Sequence, residues 1–207
     1  MGVFVEFREA RADGIASVLL GEIASLREWV TEHYTDPPAG FDAAPIELIE
    51  EVARRGSDAL SPETAREAAQ LDALVDLFIG DYCDWGPGRR LFPAAHRSML
   101  YLWHYEGVLD VVEQSGSTLL VRFSRAIAEG RPVGRDPACL PYHPSDSVFR
   151  VSFLTSEEVA ELSGPLEDLR RQRTRGVSER GLAALRSASE AVSAVLERGL
   201  GLLITAA

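Results

Sequence analysis

Val148-Phe149-Arg150-Val151-Ser152-Phe153-Leu154-Thr155-Ser156-Glu157-Glu158 holds a strand and the start of a helix in direct succession. Phe149, Val151 and Phe153 alternate with Val148, Arg150 and Ser152, the period of two that lays one face of a strand on a core. Thr155 followed by Glu158 is a capping box, in which hydroxyl and carboxylate satisfy helix-terminal N–H groups reciprocally. A chain that changes period so abruptly predicts strands and helices in one core.

Outward from this stretch the same two periods recur. Val3, Val5 and Phe7 alternate with Phe4, Glu6 and Arg8, predicting an opening strand. After the cap Asp13, apolar residues at Ile15, Val18, Leu19, Ile23, Leu26 and Val30 form one helical stripe bordered by Trp29. The prolines of Thr35 to Asp42 mark a loop. Pro45 opens a helix carrying Ile46, Leu48 and Ile49 and ending near Gly56. Ser61-Pro62 opens another through Leu71, Leu74, Val75 and Phe78, closed by Gly80. Pro93 leads into a helix with Met99, Leu102, Trp103 and Leu109. Ser117 to Ala128 fits a strand through Leu119, Val121 and Phe123, and fits a helix through Leu120, Phe123, Ser124 and Ile127, the helix slightly better. Gly130 to Pro144 is a second loop. The helix after Glu158 should stop or bend at Ser163-Gly164-Pro165. Ser178 opens a last helix with Leu182, Leu185, Val192 and Leu196 on one seam around Ser189; Gly199 ends it, and Leu200 to Ala206 is a terminal strand. The expected class is α+β, a small sheet of three to four strands covered by about six helices in a single domain 1–207. Within it a helical N-terminal half (10–115) packs on a C-terminal α/β half (116–207).

Of 207 residues 46% are hydrophobic, enough to bury a core without disulfides or a structural metal. All 21 side chains counted as Lys or Arg are arginine, and Asn is also absent. No lysine means no Schiff base and no P-loop lysine; no asparagine means no Cys-His-Asn set and no N-glycosylation acceptor. The net charge of −11 repels phosphate backbones, which argues against DNA and against RNA, although Arg170-Arg171-Gln172-Arg173-Thr174-Arg175 is a local basic run. Cys83 and Cys139 stand far apart and outside any Cys-x-x-Cys pair, as expected of reduced cytosolic thiols. With no membrane-spanning stretch and no basic and apolar leader, the expected location is the cytoplasm.

Ala126 to Gly134 (Ala-Ile-Ala-Glu-Gly-Arg-Pro-Val-Gly), Phe153 to Ala160, and Glu197-Arg198-Gly199-Leu200-Gly201-Leu202-Leu203-Ile204 resemble the YfbM-like family of uncharacterised bacterial proteins. The opening Met1-Gly2-Val3 agrees, while Pro62 to Gly116 departs from the family pattern. The resemblance implies a soluble bacterial α+β domain, and it brings no catalytic residue or cofactor to this chain.

Two constellations are candidates for chemistry. His96, His104, Glu106 and Asp110 fall close together beside Trp103, with Arg89-Arg90 upstream. On one helix His96 and His104 would lie about 12 Å apart along the axis, too far to share a metal. No metal or cofactor is therefore expected. His104 or His96 remains a candidate general base if a carboxylate from elsewhere orients it. The ordinary role for His104 is a half-buried ring satisfied by a backbone carbonyl. In Trp85-Gly86-Pro87-Gly88-Arg89-Arg90, glycines that admit a close approach and two guanidiniums could hold an anion through Trp85, Arg89 and Arg90. The ordinary role is a tight turn whose arginines answer an acidic surface. Tyr142-His143-Pro144-Ser145-Asp146 reads as a turn, because a catalytic triad converges in space rather than in one loop.

The leading expectation is non-enzymatic protein–protein recognition, an acidic immunity-like or antitoxin-like domain that masks a basic partner. The alternative is a small-molecule anion-binding protein or hydrolase-like enzyme using the Trp85–Arg90 loop with His96 or His104. A third is RNA binding through Arg170 to Arg175.

Overall fold

The computed structural model describes residues 3–11, 14–34, 45–60, 64–96, 100–130, 150–171 and 177–206. Its described elements are four strands, β1 (Phe4–Ala10), β2 (Leu100–Tyr101), β3 (Arg150–Leu154) and β4 (Gly201–Ala206), and seven helices. The helices are α1 (Gly14–His33), α2 (Pro45–Arg55), α3 (Ala65–Asp76), α4 (Leu102–Gln114), α5 (Thr118–Glu129), α6 (Ser156–Arg171) and α7 (Glu179–Leu196). The fold is α+β, as the alternating periods require.

The described residues divide into two compact units. The sheet unit draws on Met1–Ala12, Pro93–Arg131 and Arg150–Ala207, and the helical unit on Asp13–Phe92. The expected division between 10–115 and 116–207 is thus displaced: β1 and α4 belong with the C-terminal elements, because β1 finds its strand partner in β4.

In the sheet unit the strands run β2-β1-β4-β3, every pair antiparallel. Val5 stands opposite Ala206 and Phe7 opposite Ile204, so these four side chains share one face. That face closes a core with Tyr105 and Val108 of α4, Phe123 and Ile127 of α5, Leu162 and Leu166 of α6, and Leu185 and Val192 of α7. Full burial of such side chains contributes roughly 1.5–3 kcal/mol each.

Register reverses one expectation. Ser152 pairs with Ile204 and Leu154 with Leu202, so Ser152 and Leu154 face the helices while Val151 and Phe153 lie on the opposite face. Ser152 is fully buried there, and its hydroxyl donates to Ala126 O at 2.8 Å, in the last turn of α5 where helical carbonyls lack intrahelical partners.

The undecided stretch from Ser117 is the helix α5, capped by Ser117, with Leu120, Phe123, Ala126 and Ile127 buried. Pro165 does not end α6, which continues to Arg171. Leu162, Leu166 and Leu169 are buried on both sides of the proline, and their combined burial outweighs the roughly 3 kcal/mol that an interior proline costs. The seam of α7 is turned from the expected one. Gly181, Ala184, Leu185, Ala188, Val192 and Val195 are buried, while Leu196 is exposed. Small residues let α7 approach α6 and α4 closely, and a Cβ on Gly181 would stand 3.3 Å from Val108 Cγ2. Pro93 does not start a helix. Glu9 N–H donates to Pro93 O and Ala95 N–H to Phe7 O, so this segment runs beside β1 and α4 begins only at Leu102.

In the helical unit α1 presents Ile15, Val18, Leu19, Leu26 and Val30, and packs on α2, which buries Ile49 and Val52. The helix expected from Ser61-Pro62 starts at Ala65, where Thr64 and Glu67 close a capping box. It does not close at Gly80. A π-helical turn, Leu77–Tyr82, follows α3 and ends with Cys83 N–H donating to Phe78 O at 2.9 Å. Such turns insert a residue to rotate the following side chains, and here Leu77, Phe78, Ile79 and Tyr82 are all buried. Asp13, Thr35 to Asp42, Ser61-Pro62, Met99, Arg131 to Pro144, Val148 and Phe149 lie outside the described residues, as does Cys139.

Candidate functional site

In the helical unit the π-helical turn leads through Asp84, Trp85 and Gly86 into a short 3-10 turn, Pro87–Arg90. Trp85 N–H and Gly86 N–H both donate to Asp81 O, Gly86 N–H also to Tyr82 O, and Leu91 N–H to Gly88 O. The glycines are required by the chain's own rings. A Cβ on Gly86 would stand 2.7 Å from Tyr82 O and 3.1 Å from the Trp29 indole, and one on Gly88 would stand 2.5 Å from the Tyr82 ring. Trp29 meets Tyr82 edge-on at 5.7 Å and Tyr34 at 5.6 Å. Tyr34 donates to Asp81 Oδ2 at 2.6 Å and Tyr82 to Glu22 Oε2 at 2.9 Å. Burial and then the Glu22 carboxylate push the Tyr82 hydroxyl up to about 12.

On this braced turn Trp85 is 85% exposed, and Arg89 and Arg90 are exposed beside it. Neither guanidinium makes an ion pair among the described residues.

His104 belongs to the sheet unit, in the first turn of α4. Four groups form a ladder at the edge of the sheet. Phe4 of β1 stacks on Tyr101 of β2 at 4.2 Å, Tyr101 on Trp103 at 5.9 Å, and the Arg180 guanidinium lies 5.0 Å over the Trp103 ring. His104 crosses this ladder, 3.9 Å from Trp103 and 5.8 Å from Tyr101 between ring centroids. The residue is 9% exposed, and neither Nδ1 nor Nε2 has a hydrogen-bond partner. Burial, and then the Arg180 charge, hold its pKa below the usual histidine range. The expected backbone carbonyl is therefore missing, and no carboxylate orients this ring among the described residues. The side chains of Glu106 and Asp110 lie outside the described residues.

The histidine that a carboxylate does orient is His96, whose Nε2 stands 2.9 Å from Glu190 Oε2 of α7. His96 follows the bridge between Ala94 and Arg8 and is not helical, so the helical placement expected for it fails. His96 and His104 lie in the sheet unit, whereas Trp85, Arg89 and Arg90 lie in the helical unit. Among the described residues no group of three or more His, Cys, Asp or Glu could hold a metal ion. The basic run begins in ion pairs: Arg170 and Arg171 both reach Glu167 Oε1, and Arg170 holds the Glu167 carboxyl below its usual range. Gln172 to Arg175 and Tyr142 to Asp146 lie outside the described residues.

The chain matches no family model, no curated protein and no solved structure. The chemistry of its sites therefore rests on its own geometry. Sequence reasoning missed Phe4, Tyr101, Arg180 and Glu190. Tyr101-Leu102-Trp103-His104 did carry a signal, a dense aromatic run, but nothing local points to Arg180 or Glu190.

Proposed function

We propose that this chain is a recognition protein that binds a basic partner protein, masking it as an immunity or antitoxin-like factor does. The observation that carries this reading is Trp85, almost fully exposed on a turn whose backbone is pinned by Trp29 and Tyr82. An exposed tryptophan on a braced backbone turn needs little loop ordering on docking and is the kind of anchor around which binding energy concentrates. The charge of −11 supplies long-range attraction for a cationic surface. The resemblance to the YfbM-like family supports a bacterial domain. No helix of the described residues is long and apolar enough to cross a membrane.

The test is affinity capture from a bacterial lysate at low and moderate salt with wild type and Trp85→Ala. The reading expects a basic partner at unit stoichiometry, weakened by salt, and lost in Trp85→Ala at unchanged melting temperature. Equal capture by both proteins, or no stoichiometric partner at either salt, overturns it.

The His96–Glu190 pair favours a second reading, an anion-binding protein or hydrolase-like enzyme. The carboxylate fixes the orientation of the imidazole, as a general base requires. A metabolite screen in which stabilisation by a ligand vanishes in both His96→Ala and Glu190→Gln would select it over the first.

A further inference from the structure

The start of α4 presents backbone donors that its own helix cannot satisfy. Leu102 N–H donates to Val3 O at 2.8 Å, and the N–H groups of Trp103 and His104 follow in the first turn, where no carbonyl of the helix reaches them and its dipole is positive. The His104 ring packs against Tyr101 and Trp103, the residues that flank the helix start, with both nitrogens buried and without a partner. Arg180, in the first turn of α7, adds its guanidinium over Trp103.

A cation at this place would meet a guanidinium and a positive helix end. An uncharged apolar group would leave the imidazole nitrogens as they are. An oxyanion answers all three features, accepting from the imidazole N–H, the guanidinium and the helix N–H groups. We propose that the first turn of α4, with His104 and Arg180, is a binding site for a small ligand bearing a carboxylate or phosphate group. Trp103, 46% exposed, packs edge-on against the imidazole and carries the exposed Arg180 guanidinium over its own ring, and rotation of these two side chains opens the way to the imidazole. Phe4, 38% exposed and stacked on Tyr101, offers an apolar surface for the rest of the ligand. Binding draws a proton onto His104, because an adjacent anion stabilises imidazolium and turns both ring nitrogens into donors.

The experiment is imidazole NMR of the full chain, titrated separately with inorganic phosphate and with benzoate at constant ionic strength. The proposal expects a saturable shift of the His104 resonances and a rise in its pKa, with His33 and His96 unmoved. Saturation by phosphate alone identifies a phosphate ligand, and saturation by benzoate alone identifies an aromatic carboxylate. Arg180→Ala, at an exposed position that leaves the core intact, weakens binding at least tenfold. Linear, equal drift of all the histidines with both probes, or unchanged affinity in Arg180→Ala, overturns the proposal.

Discussion

Asp76 ends α3 one turn after Asp72, just before the π-helical turn that carries Asp81. Burial, then the charges of Asp72 and Asp81, raise its carboxyl from 3.8 to about 7, and burial raises Asp72 to about 6. The folded protein therefore keeps protons that the unfolded chain has released. Stability from this source is fully present below the unfolded value near 4 and is lost as pH rises through about 7. At about 1.36 kcal/mol per unit the full shift corresponds to roughly 4 kcal/mol, and the partial exposure of Asp76 reduces this to about 2 kcal/mol. Asp76→Asn removes the penalty of ionising a buried group. The variant should match wild type at pH 4 and exceed it by about 2 kcal/mol at pH 8.5, a midpoint shift of about 1 M in urea. Urea unfolding followed by tryptophan fluorescence at the two pH values measures this directly. A difference between the two proteins that stays constant with pH would refute the reasoning, because substitution effects on packing do not titrate.

Two glycines should respond in opposite directions to the same substitution. Gly88→Ala drives a methyl group into the Tyr82 ring and should cost roughly 1–3 kcal/mol, whereas Gly21→Ala, at an exposed position of α1 with nothing within 4 Å, should gain roughly 0.5–1 kcal/mol. Calorimetric melting temperatures that fall together or rise together would contradict the packing assigned to the Trp85 turn. Ser152→Ala leaves the Ala126 carbonyl buried without its hydroxyl donor and should destabilise by about 1–2 kcal/mol in chemical denaturation, while the exposed Ser193→Ala should change little.

The sequence by itself determined the class of the protein and much of its punctuation. Val5 and Phe7 point into the core as their alternation requires, Ser117 and Ser178 cap their helices, and Thr155 and Glu158 form their box. Each of these depends on groups within a few residues of one another, so local chemistry settles it. Tertiary structure decided what depends on distant partners. Register against β4, not alternation, turned Ser152 inward; buried leucines on α6 carried the helix through Pro165; and hydrogen bonds to β1 held Pro93 and Ala95 out of a helix. The candidate sites follow the same division. The glycine turn at Trp85 to Arg90 could be read from the sequence, whereas the exposure of Trp85 came from the fold, and Glu190 at His96 and Arg180 above Trp103 came only from the packing of α7. Electrostatic and ring contacts fall off within a few ångströms, and sequence spacing does not encode which remote side chains the fold brings that close.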